Sequence, residues 1–225
     1  MNLELVPLPQ REILIDEIEK ASRDADVRAL ILAGSFARGD GLPGSDLDLY
    51  FILRENVKRP FLAEVIDGVL VEKTSFDEQT ASKKLSQNSM AIYTYVDGEA
   101  LIDDGVFRNL QQVANAALDA YQPSDSEIEG TRHWLVSAVV KCKAALSSGE
   151  NLRASFISSS TTFELFRGVY FINRRPVPPS GGVLFHLRDL KKTPGEGWLD
   201  RLLTGETEDR SHAFIEVAQW VVDNL

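Results

Sequence analysis

The chain has 225 residues, 44% of them apolar and 26% charged, which is ordinary globular composition with room for one large domain or two small ones. Its 24 Lys and Arg against 34 Asp and Glu give a formal net charge of −10, which argues against a broad phosphate-neutralising face for nucleic acid. The single cysteine, Cys142, excludes an internal disulfide and a cysteine-based zinc cluster, and three scattered histidines (His133, His186, His212) make a histidine-rich metal site an unattractive reading.

No apolar run approaches the ~20 residues of a membrane helix. Residues 1–10 carry Glu4, two prolines and no basic residue, so they are not expected to act as a signal peptide. The expected location is cytoplasmic. In chain order, Glu12 to Ala21 reads as a short helix, with Leu14, Ile18 and Ala21 on one face and Pro9 near its start. Val27 to Ala33 is a short apolar run before a glycine, hence a buried strand. A glycine-rich segment follows. Asp46 to Leu53 is the second expected strand and Gly68 to Phe76 the third. Ala91 to Val96 and Ala100 to Ile102 flank Asp97-Gly98, a dipeptide favoured in tight hairpins. Val106 to Tyr121 is expected to be a helix. Beyond Pro123 the patterning is almost wholly helical. Ile128, Leu135, Val139, Cys142 and Leu146 share one face, and a Phe-rich helix over Leu152 to Ile172 reads as core. After the break at Pro176 to Gly182, shorter helices are expected near Leu184 to Leu190 and His212 to Leu225.

The chemistry concentrates in Gly34-Ser35-Phe36-Ala37-Arg38-Gly39-Asp40-Gly41-Leu42-Pro43-Gly44-Ser45-Asp46-Leu47-Asp48. Residues two apart on a strand share a face, roughly 6–7 Å between α-carbons. Asp46 and Asp48 would therefore stand side by side at the edge of a run that continues into buried Leu49 to Leu53. Two acids so placed call for a cation, and Mg²⁺, with oxygen ligands shared with substrate phosphates, is the natural guest. Gly34-Ser35, following a buried strand, offers a hydroxyl and backbone N–H groups to an anion. Together these equip a cleft for phosphoryl or nucleotidyl transfer. The bland alternative is a surface loop with two solvated aspartates. Gly39-Asp40-Gly41-Leu42-Pro43-Gly44 also matches G-x-G-x-x-G, but a strand rather than a helix follows, and no Gly-Lys-Ser/Thr completes a P-loop.

This G-S-x-A-R-G-D-x-x-x-x-S-D-L-D pattern resembles the signature of the nucleotidyltransferase superfamily, with its polymerase-beta-like fold. The helical remainder resembles the C-terminal substrate-binding domain of kanamycin-type (aminoglycoside) nucleotidyltransferases in outline. The resemblance implies an α+β fold: a small mixed β-sheet with flanking helices over residues 1–121, then an all-helical, bundle-like substrate-binding domain over 122–225. It implies nucleotide contacts at Gly34 and Ser35, with Arg38 and Ser45 of the same motif as further candidates. Asp46 and Asp48 become catalytic metal ligands for Mg²⁺, and a third acid belongs on a later strand. Glu72 is the candidate, with a solvated residue paired to Lys73 as the plain alternative. Glu64 and Asp67 are expected in a preceding helix and turn. Arg38 could equally pair with Asp40 or Asp46. Lys141 and Lys143 read mainly as a solvated helix face, and Glu164 as a candidate base.

The implied activity is transfer of a nucleoside monophosphate, AMP from ATP first among the triphosphates, to a hydroxyl of a small-molecule acceptor such as an aminoglycoside-like compound. Pyrophosphate is released. The rival expectation is an antitoxin-like or regulatory binding module that keeps this fold. Expected partners are a nucleoside triphosphate and a small-molecule acceptor, with no membrane and no nucleic acid, and a homodimer is compatible with the sequence.

Overall fold

The computed structural model describes residues 3–225. Met1 and Asn2, part of the stretch read as no signal peptide, lie outside the described residues. The chain divides into two compact units: residues 1–120 with 178–185, and residues 121–177 with 186–225.

The first unit opens with helix α1 (Leu8–Arg23), which has a proline in its first turn, where a missing N–H costs nothing. Gln10, Ile13, Leu14, Glu17 and Ala21 are its buried stripe, the three-to-four spacing of a helix lying on a sheet. Strand β1 (Val27–Ala33) leads into the single-turn helix α2 (Gly34–Arg38), followed by β2 (Leu47–Leu53), β3 (Leu62–Ile66) and β4 (Val69–Asp77). Helices α3 (Glu78–Gln87) and α4 (Ile92–Val96), strand β5 (Glu99–Asp103) and helix α5 (Val106–Ala120) complete the unit.

The five strands form one mixed sheet in the order β3-β4-β2-β1-β5. β1 runs antiparallel to β2 and β5, β3 antiparallel to β4, and β2 parallel to β4. Strand alternation then sorts side chains onto two faces. Leu30, Leu32, Leu47, Leu49, Phe51, Leu53, Val69 and Val71 pack with Ile13, Leu14 and Ala21 of α1. Ala29, Ile31 and Ile52 pack on the opposite face with Ala81, Leu85, Ile92, Tyr95, Phe107 and Leu110 from α3, α4 and α5. Asp48 and Tyr50, alternating with Leu47 and Leu49, belong to this second face.

Two sequence expectations are corrected here. Residues 92–96 are helix α4 rather than the first strand of a hairpin, despite their β-branched and aromatic composition. Asn88, which caps the preceding turn by accepting from Met90 N, turns the chain into helix. Gln111 Nε2 then donates to the carbonyls of Tyr95 and Gly98 at 3.1 and 3.5 Å. β5 therefore pairs with β1 instead of with residues 91–96. The hairpin sits upstream, where Asp67 and Gly68, both at positive φ, join β3 to β4. Glu64 thus lies on strand β3, not in a helix. β3 was missed because it is a short, mostly exposed edge strand with no fully buried residue to mark it.

The second unit is helical. It contains α6 (Asp125–Ser147), α7 (Asn151–Ile172), α9 (Trp198–Thr204) and α10 (Thr207–Asn224), while the one-turn helix α8 (Val183–Leu187) begins in the 178–185 segment. A Ser124–Glu127 capping box starts α6. Leu135, Val139 and Cys142 are buried as the helical spacing anticipated, whereas Ile128 and Leu146 are only half-buried. The Phe-rich helix is not uniformly core: Phe166 and Phe171 are buried, but Phe156 is 73% exposed.

Candidate functional site

Where β1 ends, Gly34 turns the chain at φ 67°, a conformation that disfavours any side chain. A Cβ there would also collide with the carboxylate of Asp48. Glycine is therefore required twice over: for the turn, and for close approach of the main chain to an acid on the neighbouring strand. The β1–β2 register explains the approach, because Ala33 lies opposite Asp48.

Gly34, Ser35, Arg38, Ser45, Asp46 and Asp48 all line one cleft of about 520 Å³ within the first unit. Tyr50, Tyr93, Thr94 and Asp97 line it as well, together with residues 178–182. The hydroxyl of Ser35 is buried and has no hydrogen-bond partner, and the first N–H groups of a helical turn have no intrahelical acceptor. The Ser35 hydroxyl is thus a donor without an acceptor in the fold.

The acids carry the opposite charge into the same cleft. Burial first, then Asp46 and Glu72, push the Asp48 carboxyl up to about 6, with Arg38 opposing. Glu72 lies in register with Asp48 on the parallel neighbour β4, so the two share a face. Glu72 is half-buried and does not line the cleft itself. Among the described residues, no group of three or more His, Cys, Asp or Glu comes together at metal-ligating geometry. The donor set is therefore the Asp46–Asp48 pair, with Glu72 one strand away. Hard carboxylate oxygens on one strand edge, with a raised proton affinity that a cation would relieve, fit a Mg²⁺ ion that takes its other ligands from phosphate and water. Burial also raises the Tyr50 phenol, with a hydrogen bond to Thr94 working against it.

The remaining motif residues are occupied within the fold. Arg38, its side chain only 8% exposed, pairs with Asp40 at 3.1 Å and donates to the Gly181 carbonyl at 3.0 Å. Its guanidinium also lies 5.7 Å from the Phe185 ring centre. Of the two pairings open to Arg38 on sequence, the structure forms the one with Asp40. Ser45 accepts at Oγ from Leu42 N at 3.0 Å and donates its own N–H to Leu42 O at 2.9 Å, which closes a turn just before Asp46. Lys73 meets Glu64 at 2.8 Å and Glu17 at 3.0 Å rather than Glu72. In the second unit, Glu164 pairs with Arg167 at 3.0 Å and accepts from Thr131 at 3.4 Å, while Lys141 and Lys143 are exposed.

The cleft residues that sequence reasoning missed are Tyr50, Tyr93, Thr94, Asp97 and 178–182. For Tyr50 the signal was present: it continues the Asp46–Asp48 alternation. For Tyr93, Thr94 and Asp97 it was hidden by reading residues 91–96 as a strand. Residues 178–182 lie far along the chain, and their proline and glycine content reads only as a break.

Residues 13–97 match the family model of the nucleotidyltransferase domain. Among curated proteins nothing matches the sequence significantly. Among solved structures, the crystal structure of a nucleotidyltransferase-like protein from Exiguobacterium sibiricum is 15% identical, over 96% of this chain and 74% of that one, with a TM-score of 0.46. Among the described residues, no helix is long and apolar enough to cross a membrane.

Proposed function

The chain carries a domain of the nucleotidyltransferase superfamily over residues 13–97, and from that premise we propose that it is a Mg²⁺-dependent enzyme transferring a nucleoside monophosphate, AMP from ATP, to a hydroxyl of a small-molecule acceptor. The observation that carries the reading is the joint presence in one cleft of the unpartnered Ser35 hydroxyl and the Asp46–Asp48 pair beside Gly34. Asp46 and Asp48 would hold the metal. When bound, it neutralises charge on the triphosphate and on the departing pyrophosphate.

The chain's own residues supply the rest. Gly34 brings the main chain up to the phosphates, and the Ser35 hydroxyl donates to a phosphate oxygen. Ser45 and Arg38 shape the cleft walls, Arg38 adding its positive charge. Glu72, the third carboxylate on this face and set back from the cleft lining, takes the acceptor's hydroxyl proton through water. The acceptor oxygen forms a bond to the α-phosphorus as the bond from that phosphorus to the bridging oxygen breaks, and pyrophosphate leaves with the bonding pair. Because Arg38 is paired with Asp40, Asp46 and Asp48 form no ion pair among the described residues. A cationic acceptor, an aminoglycoside-like compound for example, suits that balance.

The test is pyrophosphate release from each of the four NTPs with Mg²⁺ and a panel of hydroxylated acceptors. Release is expected with one NTP, with a marked loss in Asp46→Asn and Asp48→Asn. Absence of release with every NTP and acceptor, together with retained partner binding in both variants, would instead establish a binding module.

A further inference from the structure

Gln10 lies on α1, outside the residues that match the family model, and its side chain is fully buried. Its amide nitrogen donates to two carbonyls on the loop ahead of β2: Pro43 at 2.7 Å and Ser45 at 3.2 Å. Both amide protons are thus spent on the two residues flanking Gly44. The other end of the side chain, Oε1, is buried with no partner, which carries a desolvation cost. A methionine would avoid that cost and fill similar space, but it would strand two carbonyls. The polar side chain therefore makes sense here only as a double donor to this loop.

Without that clamp the loop has little to hold it. Gly44 has no side chain and Pro43 no N–H to give. Among the described residues, the turn is otherwise closed by the reciprocal Leu42–Ser45 contacts alone. Asp46 is the next residue, exposed and one position ahead of β2, so sheet pairing does not fix it as it fixes Asp48.

We propose that Gln10 is a positioning residue for the acid pair: one buried amide, holding the carbonyls of Pro43 and Ser45, sets where the chain delivers Asp46 beside Asp48. The consequence for metal binding rests on the reading of that pair given above, whereas the clamp itself does not.

The experiment compares the wild-type protein with Gln10→Met and Gln10→Glu, both lacking the two donors, by hydrogen–deuterium exchange and by Mn²⁺ titration followed by electron paramagnetic resonance. Amides of residues 42 and 44–48 should exchange about tenfold faster in either variant, with β1 and α5 unchanged, and Mn²⁺ affinity should fall about tenfold, within the range expected when the two hydrogen bonds are lost. A purely structural role would lower the melting temperature and leave Mn²⁺ affinity unchanged well below it. If both variants fail to fold, the wild-type Gln10 side-chain amide decides by NMR: protons protected from solvent and coupled to the Pro43 and Ser45 carbonyls uphold the clamp, and free-amide exchange overturns it. Unchanged exchange over residues 42–48 in a folded variant also overturns it. A wild-type protein that binds no Mn²⁺ sinks the metal reading of Asp46 and Asp48, while the exchange result still decides the clamp.

Discussion

Glu72 and Lys73 are neighbours on β4, yet they face opposite sides of the sheet and meet opposite chemistry. On the α1 side, Lys73 sits between Glu17, whose side chain is only 4% exposed, and Glu64, and Lys20 adds a second cation to Glu17. Burial works against the Lys73 ammonium, but its hydrogen bonds to Glu64 and Glu17 hold its pKa above the ordinary value. On the cleft side, Glu72 faces Asp48, and Asp48 faces Asp46. Charge is neutralised within the chain on one face and left unbalanced on the other. The balanced face supports the fold, whereas the unbalanced face is held at a cost, one that the cation of the proposed function would offset.

That contrast can be broken from either side. Lys73→Met removes the cation between Glu17 and Glu64 and leaves Glu17 with Lys20 alone; urea unfolding at pH 7 should show a loss of about 2–3 kcal/mol, somewhat below the usual toll for breaking a buried pair. Gly34→Ala forces a side chain into a left-handed turn and against the Asp48 carboxylate. It should cost about 2 kcal/mol by the same measurement and weaken divalent binding as Asp48 is displaced.

Asp48→Asn should move stability the other way, by about 1–2 kcal/mol at pH 7, since the ionised carboxylate is disfavoured where it stands. The pH dependence follows from the same shift. Between about pH 4 and pH 6 the native Asp48 keeps a proton that the unfolded chain has already lost. Its contribution to stability therefore falls as pH rises through that window, and a series of unfolding curves from pH 4 to pH 7 should show this decline reduced in Asp48→Asn. The smallest effect is expected for Ser35→Ala: a stability change within about 1 kcal/mol, since the hydroxyl has no partner to lose, beside a clear drop in nucleotide affinity by calorimetry.

How much of this could be read from the sequence depended on whether the signal was local. The pairing of a glycine–serine turn with Asp-x-Asp lies within fifteen consecutive residues, and strand alternation alone puts Asp46, Asp48 and Tyr50 on one face. Glu72 needed only the third strand, which the apolar run at Val69 to Val71 marks. Residues 92–97 were illegible because their composition favours strand, and the cap at Asn88 and the hold of Gln111 on the Tyr95 and Gly98 carbonyls override it. Gln10 is a polar residue at a buried position, and no periodicity distinguishes it from a solvated one. The contribution of 178–182 to the cleft wall is a tertiary contact more than a hundred residues from the motif.

Isothermal titration of nucleoside triphosphates into the wild-type protein and Asp48→Asn, each with Mg²⁺ and with EDTA, tests the proposed site most directly. One triphosphate should bind the wild type only when Mg²⁺ is present, and Asp48→Asn, still folded, should lose that metal-dependent binding. Equal binding by the two proteins, or no triphosphate binding by the wild type with Mg²⁺, would contradict it.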